Sequence, residues 1–180
     1  MSTHYPAATG DQRINRHTLC VLVDNEPGVL ARIAGMFSGR GYNIESLTVS
    51  ETEHEKHLSR ITICTAGTAH VIEQIKHQLE RLVPVHGVTD LTVNGDAIER
   101  ELALVKVVGD GDDRVEALRL AGAFGARTLD ATRQSFIFEL TGTSEEVDRF
   151  IRLMMEVGLS EVSRTGVAAI GRGARPMDAR

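Results

Sequence analysis

Apolar positions along the chain fall into short blocks whose spacing switches between the two-residue period of a strand and the 3.6-residue period of a helix. "HTLCVLVD", His17 to Asp24, is short, β-branched and apolar, which predicts a strand with little exposed face. Between Gly28 and Gly41 the apolar residues Val29, Leu30, Ile33, Ala34, Met36 and Phe37 recur at helical spacing, and Gly39 and Gly41 close the pattern as C-terminal glycines do. "NIESLTVSE" and "LSRITICTA" alternate on either side of the acidic loop "TEHEKH" and predict a hairpin. Thr68 is placed to cap "AHVIEQIKHQLERLV", whose Val71, Ile72, Ile75, Leu79 and Leu82 form one stripe that Pro84 stops. "VHGVTDLTV" follows as a fourth strand.

The same order of elements returns in the second half. "ERELALVKVVG" reads as a strand and "DDRVEALRLAGAFG" as a helix with Val115, Leu118 and Ala121 in line. "ARTLDAT" and "QSFIFELTG" are two more strands, "SEEVDRFIRLMMEVG" a helix capped by Ser144, and "LSEVSRTGVAAI" one last strand. Strand, helix, strand, strand, helix, strand is the split-βαβ or ferredoxin-like order. The fold class expected is therefore α+β, two ferredoxin-like βαββαβ domains related by element order rather than by visible sequence likeness. The expected divisions are a disordered arm over 1–16, a first domain over 17–94, a second over 95–170 and a flexible tail over 171–180.

Composition adds limits. The 180 residues suffice for one ordinary domain or two small ones that gain from oligomerisation, and 42% hydrophobic with 25% charged residues describes an ordered, soluble chain. A net charge of -5 without a Lys/Arg cluster speaks against nucleic acid, and no segment calls for a membrane. Cys20 and Cys64 lie inside strand-like blocks and read as buried thiols in a reducing cytoplasm, able to form a disulfide only if their strands are neighbours.

Candidate chemistry is sparse. His54 and His57 in "HEKH" are three residues apart in a hydrophilic loop, not four apart on a helix as a zinc site needs. His17, His70, His77 and His86 have no Cys or Asp at ligand spacing, and nothing in sequence would activate Ser38 or Ser46. "GDGDDR" is acidic and reads as a tight turn before a helix. No catalytic constellation and no metal site emerge. One stretch stands apart: the strand-to-helix turn Asp24-Asn25-Glu26-Pro27-Gly28. Its acids and its proline argue against phosphate, whereas helix-opening amides near Gly28 to Leu30 suit a carboxylate and Asn25 suits either end of an amino acid. From the residues alone, a ligand turn and a plain helix start stand equal.

"LVDNEPGVLARIAGMFSGRGYNIESLTV" resembles the amino-terminal ACT domain of the small, regulatory subunit of acetolactate synthase, and the likeness runs on through "LSRITI", "QIKHQLERLVPV", "ERELALVKV", "ELTGTSEEVDRFI" and "SRTGVAAIGRG". "GYNIESLTV" is specific to that family, while the turn alone marks any ACT domain. The resemblance implies a cytoplasmic subunit without an active site, paired through its ACT domain into a homodimer. Its partner would be the large catalytic subunit, a transferase that carries thiamine diphosphate, magnesium and FAD and works in valine, leucine and isoleucine synthesis. The resemblance further implies activation of that partner and feedback inhibition by valine. The effector would be held by Asn25, Gly28, Val29 and Leu30 of one chain against Asn43 and Ile44 of the other, with Pro27 standing where the family often has a small residue. A stand-alone tandem ACT sensor acting on a different partner is the alternative, and it has no need of "GYNIESLTV".

Overall fold

Thr18 to Val23, six consecutive residues of the first apolar block, are all buried, which is how a strand covered on both faces differs from an alternating one. They form the middle of β1 (Asn15–Asp24). The structure, a computed structural model, describes residues 13–53, 57–93, 97–174 and 176–177. In chain order β1 is followed by α1 (Val29–Gly39), β2 (Ser46–Glu53), β3 (Leu58–Gly67), α2 (Ala69–Glu80) and β4 (Val85–Asp90). The four strands lie in the order β2-β3-β1-β4, antiparallel throughout. Leu19, Val21 and Val23 of β1 join Ile61 and Ile63 of β3 under Val29, Ile33, Met36 and Phe37 of α1 and Ile72, Ile75 and Leu79 of α2.

Local signals explain the helix limits. Thr68 caps α2, its hydroxyl accepting from the Val71 N–H. At the end of α1 the Tyr42 N–H donates to the Phe37 carbonyl and the Gly41 N–H to the Ser38 carbonyl, with Gly41 at φ 70°. This double bond is the Schellman motif, which needs a left-handed residue, and Tyr42 packs edge-on to Phe37 at 6.0 Å as its apolar contact. It delivers the chain to the start of β2. Within α1 the buried stripe is narrower than expected, since Leu30 and Ala34 are exposed.

The second unit continues with β5 (Ala97–Val108), α3 (Gly111–Ala123), β6 (Arg127–Ala131), β7 (Ser135–Gly142), α4 (Ser144–Met155), β8 (Leu159–Arg164) and β9 (Ala168–Gly171). Its order β6-β7-β5-β8 copies the first sheet, with β9 as an addition that pairs with β5. The last block is thus two strands and not one. Phe136, Phe138, Phe150, Val105 and Val147 fill its core. On α3 the expected stripe is displaced: Ala117, Leu120 and Ala121 are buried, whereas Val115 and Leu118 are exposed by 67% and 44%. The cap of α4 is Thr143, not Ser144: Thr143 and Glu146 are the pair three residues apart that a capping box requires.

By compactness the chain divides at Ala97/Ile98, and Gly171 onward groups with the first unit. Asn15 and Arg16, expected in the arm, pair with Gly67 and Ala66 of β3, while residues 1–12 of that arm lie outside the described residues. Gly171, expected to begin the tail, ends β9, and the Arg60 guanidinium donates to the Met177 sulfur at 3.8 Å.

Ser144, freed from capping, is buried and donates to the Glu101 carboxylate at 3.1 Å. Glu101 is 4% exposed and receives two bonds from Arg164, at 2.8 and 2.7 Å, whose third nitrogen reaches Asp148 at 2.7 Å. Burial pushes the Glu101 carboxyl up, but the Arg164 bonds and charge with the Ser144 hydroxyl outweigh it and hold it below the usual carboxylate value. Replacing Arg164 by Leu should cost about 3 kcal/mol in urea unfolding, because it strands a buried carboxylate. The stabilisation is fully present above the unfolded-state pKa of about 4.3 and is lost as pH falls through the lower folded value, so the stability difference between wild type and Glu101→Gln should shrink steadily as the pH is lowered below about 4.3.

Candidate functional site

The turn between β1 and α1 is held at its root and open at its tip. The Asp24 N–H donates to the Pro84 carbonyl at 2.9 Å and the Asn25 N–H to the His57 carbonyl at 2.6 Å, which ties the chain to both neighbouring strands as it leaves the sheet. Asn25, Glu26, Pro27 and Gly28 are exposed. Gly28 is the N-cap residue of α1 at φ 91°, a left-handed conformation that disfavours any side chain, and open space surrounds the place where a Cβ would stand. No side chain caps α1 and no acid occupies its first turn; the Val29 N–H donates to the Glu26 carbonyl at 3.5 Å, and the helix N-terminus directs its partial positive charge toward the exposed turn.

Each expected effector residue has a definite place. Val29 is buried in the core, so it can serve a ligand only through its backbone. Leu30 is 44% exposed at the mouth of the turn. Asp24 and Glu26, the acids of the turn, are each engaged: Asp24 accepts from His86 at 2.6 Å, and Glu26 lies 3.6 Å from Arg32. Asn25 keeps an exposed carboxamide beside the amides.

Asn43 and Ile44 lie elsewhere. The Thr65 hydroxyl donates to the Asn43 carbonyl at 2.6 Å, and Ile44 packs partly against the core. Thr65 is opposite His17 near the beginning of β1, whereas Asp24 is opposite Leu58 at its end. From Leu58 to Thr65 is seven residues of strand, about 23 Å at 3.3 Å per residue. Within one chain, then, the turn and the Asn43-Ile44 pair occupy opposite ends of the sheet.

Other sequence candidates resolve into structure. His17 and His86, read as singletons, each pair with an aspartate far away in sequence: His17 with Asp90 at 2.8 Å and His86 with Asp24 at 2.6 Å. Antiparallel pairing of β1 with β4 creates both contacts, and no spacing in the sequence announces them. His54 lies outside the described residues; His57 contributes the carbonyl that holds Asn25. Among the described residues no three or more His, Cys, Asp or Glu are grouped so as to hold a metal. Cys20 and Cys64 are on paired strands yet stand diagonally, opposite Thr62 and Thr18; both are buried outside any disulfide, and the Thr18 hydroxyl lies 3.6 Å from the Cys64 sulfur. Burial pushes the Cys20 thiol up against a smaller opposite pull from Arg60, the reverse of a reactive nucleophile. The second unit has a cleft of about 350 Å³ lined by Phe124, Leu140 and Arg149, where Glu146 is already committed to capping α4. No described helix is long and apolar enough to cross a membrane.

Comparison with known proteins covers both units. Residues 19–87 match the family model described as AHAS small subunit-like ACT domain, and residues 100–173 match the one described as small subunit of acetolactate synthase. The chain is 43% identical over 163 residues to the acetolactate synthase isozyme 3 small subunit of Escherichia coli, covering 90% of this chain and 99% of that protein. It is 44% identical over 159 residues to the acetolactate synthase small subunit of Haemophilus influenzae, covering 88% and 96%. The crystal structure of the acetolactate synthase small subunit from Thermotoga maritima superposes with a TM-score of 0.80 at 38% identity, over 89% of this chain and 99% of that one. With an exposed, uncapped turn on an ACT-domain sheet, and relatives of this identity matched along nearly their whole length, the chain belongs to the family of acetolactate synthase small subunits.

Proposed function

We propose that this chain is the cytoplasmic regulatory subunit of an acetolactate synthase, that it activates the large catalytic subunit, and that it makes that subunit sensitive to valine bound between two ACT domains. Thiamine diphosphate, magnesium and FAD belong to the catalytic partner. The names of the relatives support the partner, and the geometry supports the effector site. The observation that carries the reading is the distance of about 23 Å between the turn and Asn43-Ile44 at 3.3 Å per strand residue, too far for one amino acid to touch both within a chain.

A second copy removes that distance. β2 is an edge strand with one side unpaired by the first unit, and it runs parallel to β1 because both are antiparallel to β3. If two copies pair antiparallel along β2, the start of β2 in one meets the end of β2 in the other, which is the end where the α1 turn stands. The exposed apolar residues Leu30 of α1 and Val49 of β2 would be covered by the same contact. In such a site the amides of Gly28 to Leu30 take the carboxylate, Asn25 and the partner copy's Asn43 hold the ammonium and orient it, and Leu30 with Ile44 walls a branched side chain. Ligand would then bind tightly only in one mutual arrangement of two chains, which is what coupling to a third protein requires; coupling of this kind is worth about 1–3 kcal/mol.

The tests follow from shared ownership. Gly28→Asp puts a carboxylate where the ligand carboxylate approaches, and it should abolish valine inhibition in an assay reconstituted with the catalytic subunit while activation persists; full sensitivity in the variant rejects the site. Gly28→Asp and Asn43→Ala chains, each blind to valine alone, should regain part of the calorimetric binding signal when mixed and refolded together, since a mixed pair contains one intact site. Val49→Asp should shift the chain toward monomer in sedimentation at micromolar concentration, and an unchanged dimer would place the contact off β2.

A further inference from the structure

β4 carries a bulge, and the bulge is at His86. Leu22 is opposite Gly87 and Val23 opposite Val85, so two residues of β4 answer one step of β1 and His86 is the extra one. Bulges turn a side chain out of the regular alternation. Here the ring is brought to 2.6 Å from the Asp24 carboxylate, with Nε2 donating to Oδ1. Asp24 is the last residue of β1 and the covalent neighbour of Asn25.

The second unit is an internal control for what this arrangement is for. Its β8 has the same bulge at Ser160, because Lys106 is opposite Glu161 and Val107 opposite Leu159. It also has both backbone ties at the strand end: the Val108 N–H donates to the Gly158 carbonyl at 2.8 Å and the Gly109 N–H to the Gln134 carbonyl at 3.0 Å. These match the Asp24 bond to Pro84 and the Asn25 bond to His57. Bulge and ties therefore belong to the fold of either unit. What the first unit adds is the hydrogen bond from His86 to Asp24, for which Ser160 and Val108 lack the chemistry. The addition falls at the strand end that leads into the exposed helix start at Gly28, whose first turn carries no acid, whereas the first turn of α3 carries Asp112 and Asp113.

We infer that His86 is a positioning residue for the effector turn, acting through Asp24; this rests on the reading of that turn as half of the effector site. Two effects combine. The bond fixes the direction in which the chain leaves β1, and so the aim of the Asn25 carboxamide and of the helix amides. It also engages the Asp24 carboxylate, which would otherwise be free to turn toward the bound carboxylate and repel it.

The experiment is calorimetric titration of the full chain at fixed pH with valine, leucine and isoleucine as probes, on wild type, His86→Ala, His86→Gln and the pair Asp24→Ala and Asp24→Ala/His86→Ala. His86→Ala should weaken binding about tenfold, the scale of one hydrogen bond to a charged group. His86→Gln, whose side-chain amide can donate to Asp24, should stay within about threefold of wild type, less than half a tenfold step in free energy. In the Asp24→Ala background, removing His86 should cost nothing further. Unchanged affinity in His86→Ala, equal losses for Ala and Gln, or additive losses in the double variant would overturn the inference and leave the site reading standing. Should His86→Ala not fold, the Gln variant decides: retention supports positioning and a tenfold loss overturns it. No binding of any of the three amino acids by wild type overturns the site reading and this inference together.

Discussion

β1 and β2 run in the same direction on either side of β3, and most of what this chain can do follows from that constraint. A crossover helix returns the chain to the end of the sheet at which the first strand began. The turn that opens α1 and the residues that open β2 are therefore at opposite ends by construction, although a single helix separates them in sequence. A site that draws on both can close only when a second sheet is laid head to tail beside the first. The proposed ligand has no complete site without the neighbour.

Both units obey the same constraint, with the same strand order, the same bulge in the fourth strand and the same two backbone ties at the end of the first. They differ in what they add. The first unit adds His86 on Asp24 and an α1 first turn free of acids. In the second, α3 opens on Asp112 and Asp113, which oppose any anion there, and the polar investment is the buried Glu101 network. One unit is thus shaped around an exposed turn and the other around a satisfied interior charge.

Much of the fold was legible before any coordinates. The strand "LSRITICTA", the stripe Ile72-Ile75-Leu79 and the cap Thr68 all reappear, because period and capping are local properties of the chain, although the strand is buried almost throughout and does not alternate. Failures arose where a neighbour decides. Val115 and Leu118 kept helical spacing, yet of the expected stripe only Ala121 is buried, with Ala117 and Leu120 beside it, because the direction in which a helix faces is set by what it packs on. Ser144 looked like a cap, yet the cap belongs to Thr143, whose spacing to Glu146 was present in "TSEE" and could have settled the matter. His17 and His86 had no local partner, and strand pairing supplied partners 73 and 62 residues away.

The sequence by itself determined the element types, their order, the glycines that permit Gly28 and Gly41 their left-handed turns, and the family to which the chain belongs, because each is written in residues a few positions apart. Only the tertiary structure decided that Val29 is core while Leu30 is exposed, that Asp24 is held by His86, and that the two halves of the candidate site face away from each other within one chain. Those facts depend on strand register and direction, which are settled by the burial of a whole sheet against two helices and by no short stretch of residues.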